Sequence, residues 1–149
     1  MQQHIKSEIK AVVTGAYGRF NYKTGGQKQI WIAAGIGVTP FLSWLRDLDE
    51  QLNREVFFFY SCKKEDDAIF WSEFEQAAAS YPSFHSHLQI SSRDGRISPA
   101  QIADASGGSI IAKDIYLCGP PVFTGAFSQQ FRDMGIPRSQ IHFEDFKFR

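Results

Sequence analysis

From Gln29 onward, short runs rich in β-branched and aromatic residues alternate with longer stretches whose apolar positions recur every three or four residues. The short runs, at 29–34, 55–62, 84–91, 114–118 and 141–143, have the make-up of strands covered on both faces. Between them, 40–52 carries Phe41, Leu45, Leu48 and Leu52 at helical spacing, 68–79 carries Ile69, Phe70, Phe74 and Ala77, and 122–134 repeats the pattern. A shorter helix is expected at 99–105, with Ser98 as its cap, Pro99 in its first turn, and the loop Ser106-Gly107-Gly108 after it. Strand, helix, strand in regular succession predicts an α/β fold: a five-stranded parallel sheet with helices on both faces.

Residues 1–28 stand outside this rhythm. Ala11-Val12-Val13 reads as a short strand, followed by Gly15-Ala16-Tyr17-Gly18-Arg19-Phe20 and the polar turn Lys23-Thr24-Gly25-Gly26. The expected organisation is therefore 1–28 as the tail of a preceding domain and 29–149 as one compact domain. A chain of 149 residues that is 43% hydrophobic is large enough to bury one sizeable core. Formal charge is zero and no basic run exceeds two residues, so nucleic acid is not expected as a partner. No apolar stretch reaches the ~20 residues that cross a bilayer. The two cysteines, Cys62 and Cys118, are far apart and form no C-x-x-C pattern, which argues against a disulfide framework or a zinc site and fits a reducing cytosol. His85 and His87 share a strand face, but no further ligand is evident and no metal is expected. Cys62 reads as structural.

The candidate chemistry lies where strands end. After the first strand come Gly35-Ile36-Gly37-Val38-Thr39-Pro40 and then a helix. Glycines let the backbone turn sharply and let a pyrophosphate approach the amides, and a helix N-terminus capped at Thr39, with Pro40 in its first turn, favours an anion. The fourth strand ends in Cys118-Gly119-Pro120-Pro121 and opens another helix. The third ends in Ser91-Ser92-Arg93-Asp94-Gly95-Arg96, where Ser92 and Arg93 offer the hydroxyl and forked guanidinium that a ribose 2′-phosphate wants. Asp94 and the mixed charges at 63–67 fit an ordinary solvated turn as well, and Arg96 either assists or faces water.

These motifs together resemble the NAD(P)H-binding domain of the ferredoxin–NADP reductase superfamily, most like that of ferric reductases and NADPH oxidases, with hydroxylase reductases nearly as close. Gly35–Pro40 resembles the G-x-G-x-[TS]-P pyrophosphate loop, and Tyr116-Leu117-Cys118-Gly119-Pro120-Pro121 the Y-x-C-G-P-[PA] motif. The resemblance implies a nucleotide-binding Rossmann-like module with strand order 3-2-1-4-5, a cleft at the carboxyl ends of the strands, and Cys118 beside the nicotinamide as a positioning group. It implies dinucleotide contacts from Gly35, Ile36, Gly37, Val38, Thr39, Pro40, Ser61, Ser92, Arg93, Gly119, Pro120 and Pro121. The Ser92-Arg93 pair favours NADPH, with NADH the alternative. Gly15–Phe20 resembles the G-P-[YF]-G-x-F segment that closes the flavin domain, with Ala16 in place of proline and Tyr17 and Gly18 toward the cofactor. Ile141–Phe146 resembles a terminal E-x-[FYW], which implies Glu144 as the acidic residue and Phe146 as the ring that covers the flavin, Phe148 being a competing candidate.

The implied reaction is hydride transfer from nicotinamide to an FAD supplied by a flavin domain of the same parent chain, since the flavin-binding R-x-[YF]-[ST] motif does not occur here. The isolated module is then expected to bind a dinucleotide without turning over. A haem, iron or iron–sulfur centre is the implied downstream acceptor, and the cytoplasm the implied location, facing inward if the parent is membrane-bound. The reading from a different class is a non-catalytic dinucleotide-sensing or interaction module, which has little need of a flavin-covering ring.

Overall fold

The computed structural model describes residues 19–145. Five strands, β1 (Lys28–Ala34), β2 (Glu55–Cys62), β3 (Phe84–Ile90), β4 (Asp114–Gly119) and β5 (Ile141–Asp145), form one sheet in the order β3-β2-β1-β4-β5. Every pairing is parallel. The expected architecture and strand order are both present. Two helices, α1 (Val38–Arg46) and α2 (Trp71–Ser80), connect β1 to β2 and β2 to β3, and their buried residues join one apolar cluster with Trp31, Phe58, Tyr60 and Tyr116. The one-turn α3 (Ser91–Asp94), then α4 (Pro99–Ala105) and α5 (Pro121–Asp133), complete the chain, and α4 and α5 cover the opposite cluster of Ile30, Ile32, Ile115 and Leu117. The connections wind outward from β1 in one direction and from β4 in the other, which places the switch point of the sheet between those two strands.

The two faces differ in chemistry. Trp31 stands 5.9 Å from Phe41 in a stacked pair and 5.1 Å from Trp44 edge-on, while Phe58 and Phe74 stack at 4.1 Å. Such pairs add ~0.5–1.5 kcal/mol each beyond the area they bury, so this face is held by geometry as well as by burial. Phe20 and Tyr22, from the segment before β1, join it: Phe20 lies edge-on to Tyr116 at 5.6 Å, and Tyr22 lies 5.5 Å from Trp31. Gln29 is fully buried on β1 and fully used, donating to the Tyr22 and Gly26 carbonyls at 2.8 and 2.9 Å and accepting from the Trp31 indole at 2.9 Å. Tyr22 and Gly26 are thereby fastened at the amino-terminal ends of β1 and β4, where the Gly26 amide also donates to Asp114 Oδ2 at 2.7 Å.

Helix limits differ from the sequence expectation in ways that have local causes. α1 begins at Val38 because Gly35–Gly37 already forms a 3-10 turn, so Thr39 is inside the helix and is not its cap; its hydroxyl donates to the Ile36 carbonyl at 2.9 Å. α1 stops at Arg46, where Asp47 is fastened by the Tyr22 hydroxyl at 3.2 Å and by the Lys23 ammonium at 2.5 Å. Leu48 and Leu52 pack on the core from the following loop instead. α2 begins at Trp71 rather than 68, since Phe70 adopts φ 60°, and Ile69 and Phe70 are exposed rather than on the buried stripe. Ser98 caps α4 as expected, in a reciprocal box with Gln101.

Candidate functional site

The carboxyl ends of β1 and β4 approach so closely that side chains are excluded. A Cβ on Gly37 would be driven into the Cys118 carbonyl and to 2.8 Å of the Gly119 amide nitrogen. A Cβ on Gly119 would stand 2.9 Å from the Ala34 Cβ and 3.1 Å from Phe123. Gly35 adopts φ 55° and faces open space, the combination a turn needs if a ligand is to lie against its backbone. The glycine loop and the C-G-P-P segment, 83 residues apart by the interval from Gly35 to Cys118 (118 − 35), thus form a single wall.

Two helix N-termini open on this wall. Neither α1, with Gly37 at its cap position, nor α5, with Pro120, is capped by a side chain. The Val38 amide is turned back onto the Gly35 and Ile36 carbonyls and the Phe123 amide onto the Pro120 carbonyl, so what suits an anion here is the positive end of each helix dipole, by ~0.3–1 kcal/mol for an exposed charge. Of the expected contact residues, Gly35, Ile36, Thr39, Pro120 and Pro121 are exposed here, Pro40 and Ser61 are half-buried, and Gly37, Val38 and Gly119 are buried beneath them. Ser61 pairs in register with Ala34, which places it beside the loop at the end of β2. Exposed apolar side chains at the same edge, Ile36 at 50% and Val122 at 84%, mark where a ring or a second domain can cover the wall. Val122 was missed at the sequence level; its signal is an apolar residue in the first turn directly after a strand-end proline pair.

Cys118 is fully buried and belongs to the aromatic cluster on the α1 side, so the part of it that meets the glycine loop is its backbone. In register it stands opposite Glu144 on β5. Glu144 is exposed, and with Arg19, Phe20, His142 and Phe143 it lines a cleft of about 250 Å³. Two segments singled out at opposite ends of the chain therefore meet at one place. Tyr17, Gly18, Phe146 and the competing Phe148 lie outside the described residues. Cys62 is buried at the end of β2, where burial first and Asp67 second push its thiol up, in keeping with a structural role.

Ser92 and Arg93 are exposed on α3, on the same side of the sheet, with the Ser92 amide donating to the Lys63 carbonyl at 3.2 Å. The Arg93 guanidinium is not free: Nε and Nη2 donate to the two carboxylate oxygens of Asp94 at 2.8 and 3.0 Å. Arg93 holds the Asp94 carboxyl below its ordinary range, and the Ile90 amide adds to this. Arg96 is exposed. His85 and His87 stack against Phe57 and tilt over Phe59, and among the described residues no group of three His, Cys, Asp or Glu side chains gathers to hold a metal.

Residues 31–129 match the family model described as the oxidoreductase NAD-binding domain. The F subunit of the Na(+)-translocating NADH-quinone reductase of Pseudomonas aeruginosa is 25% identical, an alignment covering 96% of this chain and 38% of the relative. The chain thus spans less than two-fifths of the length of that relative. The flavohaem-like FAD/NAD-binding domain of nitric oxide dioxygenase from Vibrio cholerae shares 27% identity with a TM-score of 0.75, over 87% of this chain and 55% of the other. An Amycolatopsis cytochrome P450 reductase shares the fold with a TM-score of 0.72 at 24% identity, over 89% of this chain and 42% of the other. With the β3-β2-β1-β4-β5 sheet and the glycine wall at its switch point, these matches show that the chain belongs to the oxidoreductase NAD-binding domain family, within the ferredoxin–NADP reductase superfamily.

Proposed function

We propose that this chain is the NAD(P)H-binding half of a flavin-dependent reductase, holding the nicotinamide against a flavin carried by an adjoining domain of the same parent. The observation that carries this reading is the wall where Gly37 and Gly119 bring β1 and β4 into backbone contact beneath two uncapped helix N-termini. A pyrophosphate fits there because no side chain intervenes between it and the amides. A dinucleotide bound there would supply a hydride, and a flavin in the adjoining domain would accept it. The protein's part is to orient, and to exclude water by apolar cover from Ile36 and Val122. Cys118 acts through its backbone and its fixed volume, and Glu144 presents a carboxylate over the neighbouring register position. Phe20 and Arg19, at the cleft beside β5, belong on this reading to the junction with the flavin domain, for which residues 1–28 are the closing tail.

The named relatives support reductase chemistry in general, since their descriptions are of an NADH-quinone reductase component, a nitric oxide dioxygenase domain and a P450 reductase. Our finer reading, a ferric reductase-like parent, rests on the combination of G-I-G-V-T-P, C-G-P-P and E-D-F in one aromatic-rich chain, and the cytoplasmic placement rests on the separated cysteines Cys62 and Cys118, which fit a reducing compartment. Calorimetric titration of the chain with NADH and NADPH tests the binding function. Saturable binding of at least one dinucleotide, without oxidation of it, is the expected result; a folded chain that binds neither contradicts the proposal. Steady-state reduction of ferric chelate, quinone and haem protein by a flavin-loaded parent tests the finer reading, which predicts ferric chelate as the fastest acceptor.

A further inference from the structure

We propose that Asp94 sets how strongly this domain distinguishes NADPH from NADH, by holding the guanidinium that would otherwise meet a 2′-phosphate. The inference rests on the reading of the carboxyl edge of the sheet as the dinucleotide site, and deepens it.

The Asp94 carboxylate does more than pair with its neighbour. Its Oδ2 accepts the Ile90 amide at 3.0 Å, at the last residue of β3, which is itself in register with Cys62. The buried Gln89 side chain donates to the Asp94 and Gly95 carbonyls at 3.2 and 3.0 Å. Gly95, at φ 78°, then returns the chain to Ile97, which is buried in the opposite core. The turn is anchored at both ends, and the Ile90 amide holds the carboxylate where the Arg93 guanidinium folds back onto it.

The pair is exposed at its Arg93 end, with 60% of that side chain accessible, and an exposed ion pair of this kind contributes little to stability. Its consequence is for ligands. A 2′-phosphate dianion that reaches Arg93 must either displace the carboxylate from the fork or settle beside it, and both weaken binding. A ribose 2′-hydroxyl carries no such penalty. With Asp94 charged, Ser92 and Arg93 are poised for the phosphate but held in check, and the domain accepts both dinucleotides with a small preference.

The test is calorimetry with NADPH and NADH on the native chain, Asp94→Asn, Asp94→Ser, and Asp94→Asn combined with Arg93→Ala. Asparagine keeps an oxygen for the Ile90 amide, and serine is a second short acceptor, so at least one variant should retain the turn; far-ultraviolet circular dichroism and melting check that it does. The expected result is a rise of about tenfold in the NADPH-to-NADH affinity ratio in the Asp94 variants, as removal of a like charge from an anion site predicts, and its disappearance in the double variant. An unchanged ratio in folded Asp94 variants that still bind dinucleotide overturns the inference and leaves the proposed function standing. Binding of neither dinucleotide by any folded variant overturns the nucleotide-site reading itself, and the role of Asp94 with it.

Discussion

The wall between β1 and β4 and the turn after β3 lie on the same edge of the sheet, yet they are built by different physics. At the wall, backbone meets backbone, and the residue identities at Gly37 and Gly119 follow from excluded volume alone. In the turn, position is set by hydrogen bonds, from the buried Gln89 amide to the Asp94 and Gly95 carbonyls and between the exposed Arg93 and Asp94 side chains. On the proposed function, the first region holds the pyrophosphate common to all nicotinamide dinucleotides, while the second modulates which one is preferred. On that reading a change in the turn alters selectivity, whereas a change in the wall alters binding of either dinucleotide.

The contrast can be broken first at its rigid side. Gly37→Ala should have the largest effect, because its Cβ meets backbone that cannot rotate away: we expect dinucleotide binding to be lost and stability to fall by ~1–3 kcal/mol, the usual range for overpacking, in denaturant unfolding. Gly119→Ala should come next, within the same ~1–3 kcal/mol range, since of its two nearest neighbours the Phe123 ring can turn aside but the Ala34 Cβ is fixed to its backbone. Retention of full binding by Gly37→Ala would show that the wall does not carry the site.

High pH sharpens the comparison without mutation. Tyr22, Tyr60 and Tyr116, buried on the α1 face beneath the wall, are each pushed from 10.0 up to about 12, chiefly by burial. Their folded values lie above the unfolded ones, so the stability they contribute is fully present below pH 10 and is lost as pH rises through about 12. Denaturant midpoints measured from pH 9 to 12 should therefore hold at first and then fall. The smallest expected effect is that of Arg93→Ala: an unchanged melting temperature and unchanged NADH affinity, with a several-fold loss confined to NADPH, read by differential scanning and binding calorimetry.

The sequence makes the sheet legible because strands buried on both faces keep apolar runs such as Val56–Tyr60 and Ile30–Ala34 almost free of charge. Caps and ends are less legible. Thr39 before Pro40 has the look of a cap, but the preceding 3-10 turn starts the helix earlier, and only the backbone angles at Gly35–Gly37 decide this. The leucine period past Arg46 continues because loop residues also face the core, while the stop itself comes from Tyr22 and Lys23, more than twenty positions away. The glycine loop and the C-G-P-P segment were each recognisable, but their mutual contact is a property of strand order. Arg93 and Asp94 are adjacent in sequence, and whether such neighbours pair depends on the single turn of α3.

The central claim is that a dinucleotide lies across the carboxyl ends of β1 and β4. Titration of isotopically labelled chain with NADH, followed amide by amide in nuclear magnetic resonance, tests it most directly. The largest shifts are expected at Gly35, Ile36, Gly37 and Thr39 and at Gly119 and Val122, with smaller ones at Ser92 and Arg93. Shifts confined to the opposite edge of the sheet, or none at saturating NADH and NADPH, would contradict it.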